Sequence, residues 1–103
     1  MSRRVLLAST IGAIANRLAE VCEKNGATAT VFTQGSSVVK ELENGNYGLF
    51  LVEHNFLSGE YQNLIYQIRE KKELQDLFVA VYAPGDLNEA ELSVTNGANS
   101  ILL

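Results

Sequence analysis

The chain has 103 residues, 47% of them hydrophobic and 19% charged, which is typical of one globular domain and excludes a disordered segment. Its formal net charge of -4 argues against nucleic-acid and anionic-membrane partners. No apolar run approaches the roughly 20 residues of a membrane span or forms a secretion signal, and the lone Cys22 excludes an internal disulfide. We therefore expect a cytoplasmic protein.

Five short runs rich in apolar or β-branched residues predict strands. The run that ends at Val52 is apolar throughout, as expected of a central strand that is covered on both faces. The five predicted strands are residues 5–8, 28–33, 49–52, 77–82 and 100–103.

Between the strands, apolar residues recur with the period of an α-helix. Ser9 and Thr10 are candidate N-caps of the first helix, and Gly26 suits the position just past its C-terminus. The four predicted helices run from about residue 11 to 25, 38 to 44, 60 to 72 and 87 to 95. Their inward residues include Ile11, Ile14, Ala15, Leu18 and Cys22 in the first helix, and Tyr61, Leu64, Ile65 and Ile68 in the third.

The alternation of strands and helices predicts an α/β, doubly wound parallel sheet with right-handed crossovers. In a flavodoxin-like strand order, 2-1-3-4-5, the first helix lies alone on one face, and the other three cover the opposite face. A fifth helix is lacking after Leu103, so half of one face is predicted to be bare. Because an exposed apolar patch usually marks an interface, we expect it to be covered by a downstream segment, a partner protein or a second copy of the chain.

The whole chain resembles the receiver domain of two-component response regulators (CheY-like) in the order and spacing of its elements. The likeness is carried by residues 5–10, 47–53, 77–83 and 97–103. Gly97-Ala98, before the last strand, is its most specific match. The resemblance implies the N-terminal domain of a longer signalling protein.

The resemblance also implies which residues occupy the family's phosphorylation pocket. Family members take a phosphoryl group on an aspartate that ends the third strand, where this chain has Glu53. The two acids that hold Mg²⁺ after the first strand are replaced by Ser9 and Thr10, and Asn55 is a further pocket position. We therefore expect a degenerate pocket.

The positions that respond to phosphorylation in the family have changed as well. A threonine or serine ends the fourth strand in the family, and Tyr82 stands there. The aromatic switch residue of the fifth strand is replaced by Ile101, and the family's lysine would fall beyond Leu103. The signal-dependent switch is therefore predicted to be lost.

The chemistry of these residues leads to the same expectation. Mg²⁺ is held octahedrally by carboxylates and waters, and the hydroxyls of Ser9 and Thr10 are neutral. Phosphoryl transfer needs cations that neutralise the spreading charge, and a misplacement of about 1 Å can cost on the order of 10²-fold in rate. The sequence therefore predicts a pseudo-receiver without phosphorylation, enzymatic activity, metal or cofactor, which acts as a protein-interaction module.

Several alternatives remain open at this point. Glu53 is either a permanent mimic of a phosphorylated acid or a solvated carboxylate, and the Tyr82 hydroxyl could donate to it. His54 is a metal ligand, a base or an ordinary loop residue. The competing functions are a small-ligand or enzymatic flavodoxin-like domain, with its site near Ser9, Thr10, Glu53 and Tyr82, and a receiver with an atypical phosphoacceptor.

Two further segments are expected to be structural. All five residues of the segment 69–73 are charged, which predicts the solvated end of the third helix. Phe56 and Leu57 follow Glu53 and either fold back onto the sheet, which we favour, or form a contact patch.

Overall fold

A computed structural model describes residues 3–10, 12–33, 38–54, 56, 61–83 and 97–102. It contains a five-stranded sheet in the order 2-1-3-4-5 with parallel pairing throughout, which confirms the predicted fold class. The strands are β1 (Arg4–Ala8), β2 (Thr28–Phe32), β3 (Leu49–Glu53), β4 (Phe78–Tyr82) and β5 (Ser100–Leu102). The helices are α1 (Gly12–Lys24), α2 (Val38–Gly45) and α3 (Tyr61–Glu70), followed by a 3-10 turn (Lys72–Leu74). The predicted fourth helix lies outside the described residues.

The end of α1 follows from its sequence. Gly26 has a φ of +85°, a left-handed conformation that glycine adopts without steric cost. Its amide donates to the Glu23 carbonyl at 3.1 Å, and the Ala27 amide donates to the Cys22 carbonyl at 3.0 Å. This is the Schellman arrangement that satisfies the last carbonyls of a helix, so the chain turns back into β2.

The larger part of the core lies on the face covered by α2 and α3. Alternate strand residues point to this face, and the apolar stripes of both helices pack on them. Phe56 is also fully buried here, which confirms that it folds back onto the sheet, whereas Leu57 lies outside the described residues. The buried members include Leu6, Phe50, Val52, Val79 and Val81 from the strands and Leu42, Leu64, Ile65 and Ile68 from the helices.

The opposite face has a smaller core beneath α1. It contains Val5, Leu7, Leu51 and Ala80, against which Leu18, Ala19 and Cys22 of α1 pack in half-buried positions. α1 contacts mainly β1 and β2. Phe78 at the start of β4 keeps 47% of its surface exposed. Among the described elements, only α1 covers this face, in agreement with the predicted bare half.

The end of α3 differs from the prediction of a solvated charged segment. Arg69 is half-buried, and its guanidinium donates to the carbonyls of Gly97 and Leu77, both at 2.9 Å, and to Asn99 Oδ1 at 2.6 Å. Asn99 Oδ1 also accepts from the Val79 amide at 2.8 Å. Arg69 therefore joins α3 to the beginnings of β4 and β5, and burial lowers the pKa of its guanidinium.

None of the helices within the described ranges combines the length and the apolar character that crossing a membrane requires. Cys22 lies half-buried on the sheet side of α1. Burial, followed by the charge of Glu23, raises the pKa of its thiol. Because the thiolate is the reactive form of cysteine, Cys22 acts here as a small packing residue.

Candidate functional site

Three of the predicted site residues lie in one row at the carboxyl edge of the sheet. Ala8 of β1 pairs with Val52 of β3, so Ser9 and Glu53 follow at the same level. Glu53 pairs in turn with Tyr82 of β4. We call Ser9, Glu53 and Tyr82 the edge row. In an open α/β sheet, ligands bind outside this edge.

Glu53 is a buried acid. Only 2% of its surface is exposed, and the neighbouring Ser9 is 1% exposed, whereas Thr10 is exposed. Glu53 is still inside the β3–β4 ladder, because the next amide, that of His54, donates to the Tyr82 carbonyl at 2.9 Å. The interpretation of Glu53 as a solvated carboxylate is therefore wrong, since the strand continues through it and holds its side chain against the sheet.

His54 contacts two members of the edge row. Its Nδ1 lies 3.4 Å from Glu53 Oε2 and 3.3 Å from the Tyr82 carbonyl oxygen. The polar contacts between Glu53 and Tyr82 therefore run through His54 and the Tyr82 main chain, where the sequence had suggested the Tyr82 hydroxyl. Tyr82 instead packs its ring, half-buried, against the core under α1.

The remaining predicted positions are only partly described. Ile101 lies in β5, where its backbone pairs with Val81, one residue before the level of the edge row. Asn55 lies outside the described residues. The structure thus brings together Ser9, Glu53 and Tyr82, and it adds His54 to them.

The donor set of the edge row does not fit Mg²⁺. Mg²⁺ keeps several of its waters and needs octahedral oxygen ligands, but the single carboxylate of the row is buried and lies 3.4 Å from His54 Nδ1. Ser9 and Tyr82 supply neutral hydroxyls, and no group of three or more potential metal ligands occurs within the described ranges. We therefore derive no phosphoryl-transfer step at this edge.

A second candidate site is a groove on the bare half of the sheet. The groove is open to solvent and has a volume of about 1080 Å³. Leu49, Leu51, Phe78 and Ala80 are among its apolar lining residues, and Leu42 and Leu74 line it as well. Its charged lining residues are Arg3, Arg4, Glu43, Glu73 and Asp76. The handedness of the sheet had predicted the bare face. The charges come from the start of β1, from α2 and from the segment between α3 and β4, which are far apart in the chain, so sequence reasoning did not bring them together.

Comparison with known proteins agrees with the observed topology. The chain matches no protein-family model and no curated protein. Among solved structures, a signal receiver domain from Bermanella marisrubri superposes with a TM-score of 0.87 at 18% identity, over 99% of this chain and 85% of that one. The protein has the fold of a response-regulator receiver domain.

Other receiver domains match over the same extent. A response regulator from Thermotoga maritima has a TM-score of 0.83 at 26% identity, over 100% of this chain and 85% of that one. The beryllofluoride-activated NtrC4 receiver, described as a dimer, has a TM-score of 0.83 at 21% identity and covers 97% and 82%. The receiver fold thus extends over the chain, and the edge row lies at its carboxyl edge.

Proposed function

We propose that this protein is a non-phosphorylatable pseudo-receiver that acts as a protein-interaction module in signal transduction. The observation that carries the proposal is the burial of Glu53, the residue at the position of the phosphoacceptor, with 2% of its surface exposed and His54 Nδ1 3.4 Å from its Oε2. Phosphoryl transfer requires in-line access and neutralising cations. The burial of Glu53 opposes in-line access, and Ser9 beside it offers no carboxylate to hold a cation.

The role proposed for Glu53 is that of a fixed structural acid. A phosphorylation mimic would have to act through residues that respond to its charge, and Tyr82 and Ile101 stand at the positions of the switch. Tyr82 is held by its packing under α1 and by the ladder bond between its carbonyl and the His54 amide. These contacts favour a pocket that keeps one conformation and does not switch.

Acetyl phosphate tests the proposal directly. The intact chain is incubated with acetyl phosphate and Mg²⁺, and its mass is measured alongside that of Glu53→Gln. We expect neither protein to gain a phosphoryl group. A gain in the wild type that Glu53→Gln abolishes would establish Glu53 as a phosphoacceptor and overturn the proposal. A gain in both proteins would show a different acceptor and would overturn it as well.

The proposed partner is a protein that covers the bare half of the sheet. The sequence analysis offers a downstream domain, a separate protein and a second copy, and the NtrC4 receiver is an example of a receiver that dimerises. Sedimentation over a range of concentrations tests the second copy. A cytoplasmic location and membership of a longer signalling protein form part of the same proposal.

The competing small-ligand function is tested by thermal denaturation with Mg²⁺, nucleotides and phosphate analogues. A ligand at 100 times its Kd stabilises a protein by about 2.7 kcal/mol. We expect no such shift, because Ser9 and Glu53 of the edge row are buried. A saturable increase in melting temperature that Glu53→Gln removes would support the ligand site instead.

A further inference from the structure

β2 forms one edge of the sheet, and β1 is its single neighbour among the described strands. Natural edge strands are usually protected from pairing with another chain by a lysine, a proline, a bulge or an inward-pointing charge. Residues 25–39 contain no charged residue and no proline, and all five residues of β2 pair with β1 in an unbroken register. The edge of β2 therefore lacks these protections.

The backbone groups on the open side of β2 belong to Ala29 and Val31. The Thr28 amide donates to the Arg3 carbonyl at 2.9 Å, and the Phe32 carbonyl accepts at 3.1 Å from the amide that follows β1. Thr28 and Phe32 thus direct these groups toward β1. Because backbone groups alternate in direction along a strand, the amides and carbonyls of Ala29 and Val31 point away from β1.

An identical strand fits this edge in the antiparallel orientation. When Thr30 of both copies lies at the two-fold axis, Ala29 lies opposite Val31 of the second copy and exchanges both N–H···O bonds with it. The two Thr30 residues then form the central pair, which needs no bond across the interface. Thr28 lies opposite Phe32, and pairs of two threonines or of an aromatic and a β-branched residue stabilise antiparallel strands. The sequence of β2 is therefore self-complementary.

The pairing also covers an exposed apolar side chain. Val31 keeps 38% of its surface exposed, and the residue opposite it, Ala29, packs against the core under α1. Because β2 carries no charge, no like charges oppose each other across the axis. Burial of Val31 adds to the backbone hydrogen bonds.

The position of α1 permits the pairing. α1 contacts mainly β1 and β2, so it stands over this side of the sheet. With a strand spacing of about 4.8 Å, a continuous sheet would place the α1 helices of the two copies about 10 Å apart. Packed helices lie about 8–10 Å apart, so the two helices would contact each other without a clash.

The edge of β2 is separate from the bare half of the sheet. The bare half lies over β3, β4 and β5, on the other side of α1, so whatever covers it leaves β2 open. A downstream segment continues from β5, which the strand order 2-1-3-4-5 places about 19 Å across the sheet from β2. Such a segment therefore borders the bare half and not β2. The pairing of β2 does not depend on which occupant the bare half has.

We propose that two copies of the chain pair antiparallel through β2, with Thr30 at the two-fold axis and with Ala29 of each copy opposite Val31 of the other. The dimer is closed, because both copies use the same surface and neither keeps an open β2 edge. This interface goes beyond the proposed function, which concerns Glu53 and the bare half of the sheet.

Sedimentation of the full chain tests the dimer at concentrations up to about 1 mM, which detect even weak pairing. We expect a reversible monomer–dimer equilibrium. Val31→Lys should raise its Kd by at least about tenfold, because a lysine protects an edge strand. Phe78→Lys is the matched control, since Phe78 is a 47% exposed strand residue on the bare half, and it should leave the Kd unchanged.

Disulfide cross-linking tests the register. In a Cys22→Ser background, Thr30→Cys should form an intermolecular disulfide, because the Cα atoms of the central pair would lie about 4.5 Å apart. Val31→Cys should cross-link at least about tenfold more slowly, because Ala29 lies opposite it and the two cysteines would be too far apart. Val31 is exposed whereas Thr30 is half-buried, so random collisions would give the reverse order. Circular dichroism checks that each variant is folded.

Three outcomes would overturn the inference. They are a monomer at every concentration, a dimer that Phe78→Lys weakens as much as Val31→Lys does, and faster cross-linking of Val31→Cys than of Thr30→Cys. The second would assign the second copy to the bare half of the sheet. Phosphorylation by acetyl phosphate would overturn the proposed function without altering any of these results, so the two failures are distinguishable.

Discussion

Glu53 and Tyr82 are register partners on β3 and β4, and His54 Nδ1 lies within 3.4 Å of both, contacting Glu53 Oε2 and the Tyr82 carbonyl oxygen. Glu53, which the proposal places at the position of the phosphoacceptor, is thus held inside the ladder and contacts the next residue of its own chain. Under the proposed function, this arrangement closes the pocket to a cation and to a phosphoryl donor.

The first prediction concerns how far from Glu53 the removal of its charge affects other residues. Glu53→Gln keeps the shape of the side chain and removes its charge. Because we propose that Glu53 is a structural acid, we expect ¹⁵N chemical-shift changes only near Ser9, His54 and Tyr82. Changes that extend along β5, from Ser100 to Leu102, would show a switch that responds to charge and would favour phosphorylation mimicry.

The second prediction concerns Arg69, whose guanidinium joins three elements. Arg69→Ala leaves several backbone carbonyls without their donor, and we expect the free energy of unfolding to fall by about 3 kcal/mol. Arg17→Ala, at an exposed position on α1, should change it by less than about 0.5 kcal/mol. Denaturant titration measures both, and similar losses would contradict the assigned role of Arg69.

Gly97 provides a third prediction, because it is packed against the same side chain. Its φ is +114°, and a Cβ would lie 2.8 Å from Arg69 Cγ. Gly97→Ala should therefore cost about 1–3 kcal/mol of stability. In the Arg69→Ala background the steric part of this cost should disappear, so the double variant should lose less than the sum of the two single losses. Strict additivity would count against the contact.

The fourth prediction concerns alkaline pH. The Tyr47 hydroxyl donates to Glu41 Oε2 at 2.7 Å, and burial is the main cause that raises the pKa of Tyr47 above its usual value of 10.0. A raised pKa means that the folded state holds this proton more tightly than the unfolded chain does. The resulting stabilisation is complete below pH 10 and is lost as the pH rises through the folded-state pKa.

Tyr47→Phe tests this linkage. It should lower the free energy of unfolding by about 1 kcal/mol near neutral pH, because a hydrogen bond is lost. It should also flatten the decline of stability above pH 10 relative to the wild type. Urea denaturation at a series of pH values measures both effects, and parallel curves for the two proteins would refute the role assigned to Tyr47.

Much of the fold could be predicted from the sequence because its local signals agree. Apolar runs such as the one that ends at Val52 predict strands, and the apolar stripe of α1 predicts a helix. The alternation of strands and helices, joined by right-handed crossovers, predicts the parallel sheet and its bare half. The burial of Glu53 could not be predicted, because it depends on where β3 ends in the ladder with β4. The bonds of Arg69 to Gly97 and Asn99 span 28 and 30 residues, beyond the range of any local pattern.

The last prediction concerns the two faces of the sheet. Phe50 is fully buried beneath α2 and α3, whereas Phe78 is 47% exposed in the groove on the bare half of the sheet. Phe50→Ala should cost about 3–5 kcal/mol of stability, and Phe78→Ala should cost clearly less, because much of its ring already contacts water. Chemical denaturation of the two variants checks this. Equal losses would contradict the exposure of Phe78 on the bare half of the sheet.

The most direct test of the central claim is titration of the ¹⁵N-labelled chain with Mg²⁺ and beryllofluoride. If the pocket around Glu53 is closed to a cation and to a phosphoryl group, the amides of Ser9, Thr10, His54 and Tyr82 should show no saturable shift. A saturable shift at these amides that Glu53→Gln abolishes would contradict the account, and the protein would then be a working receiver.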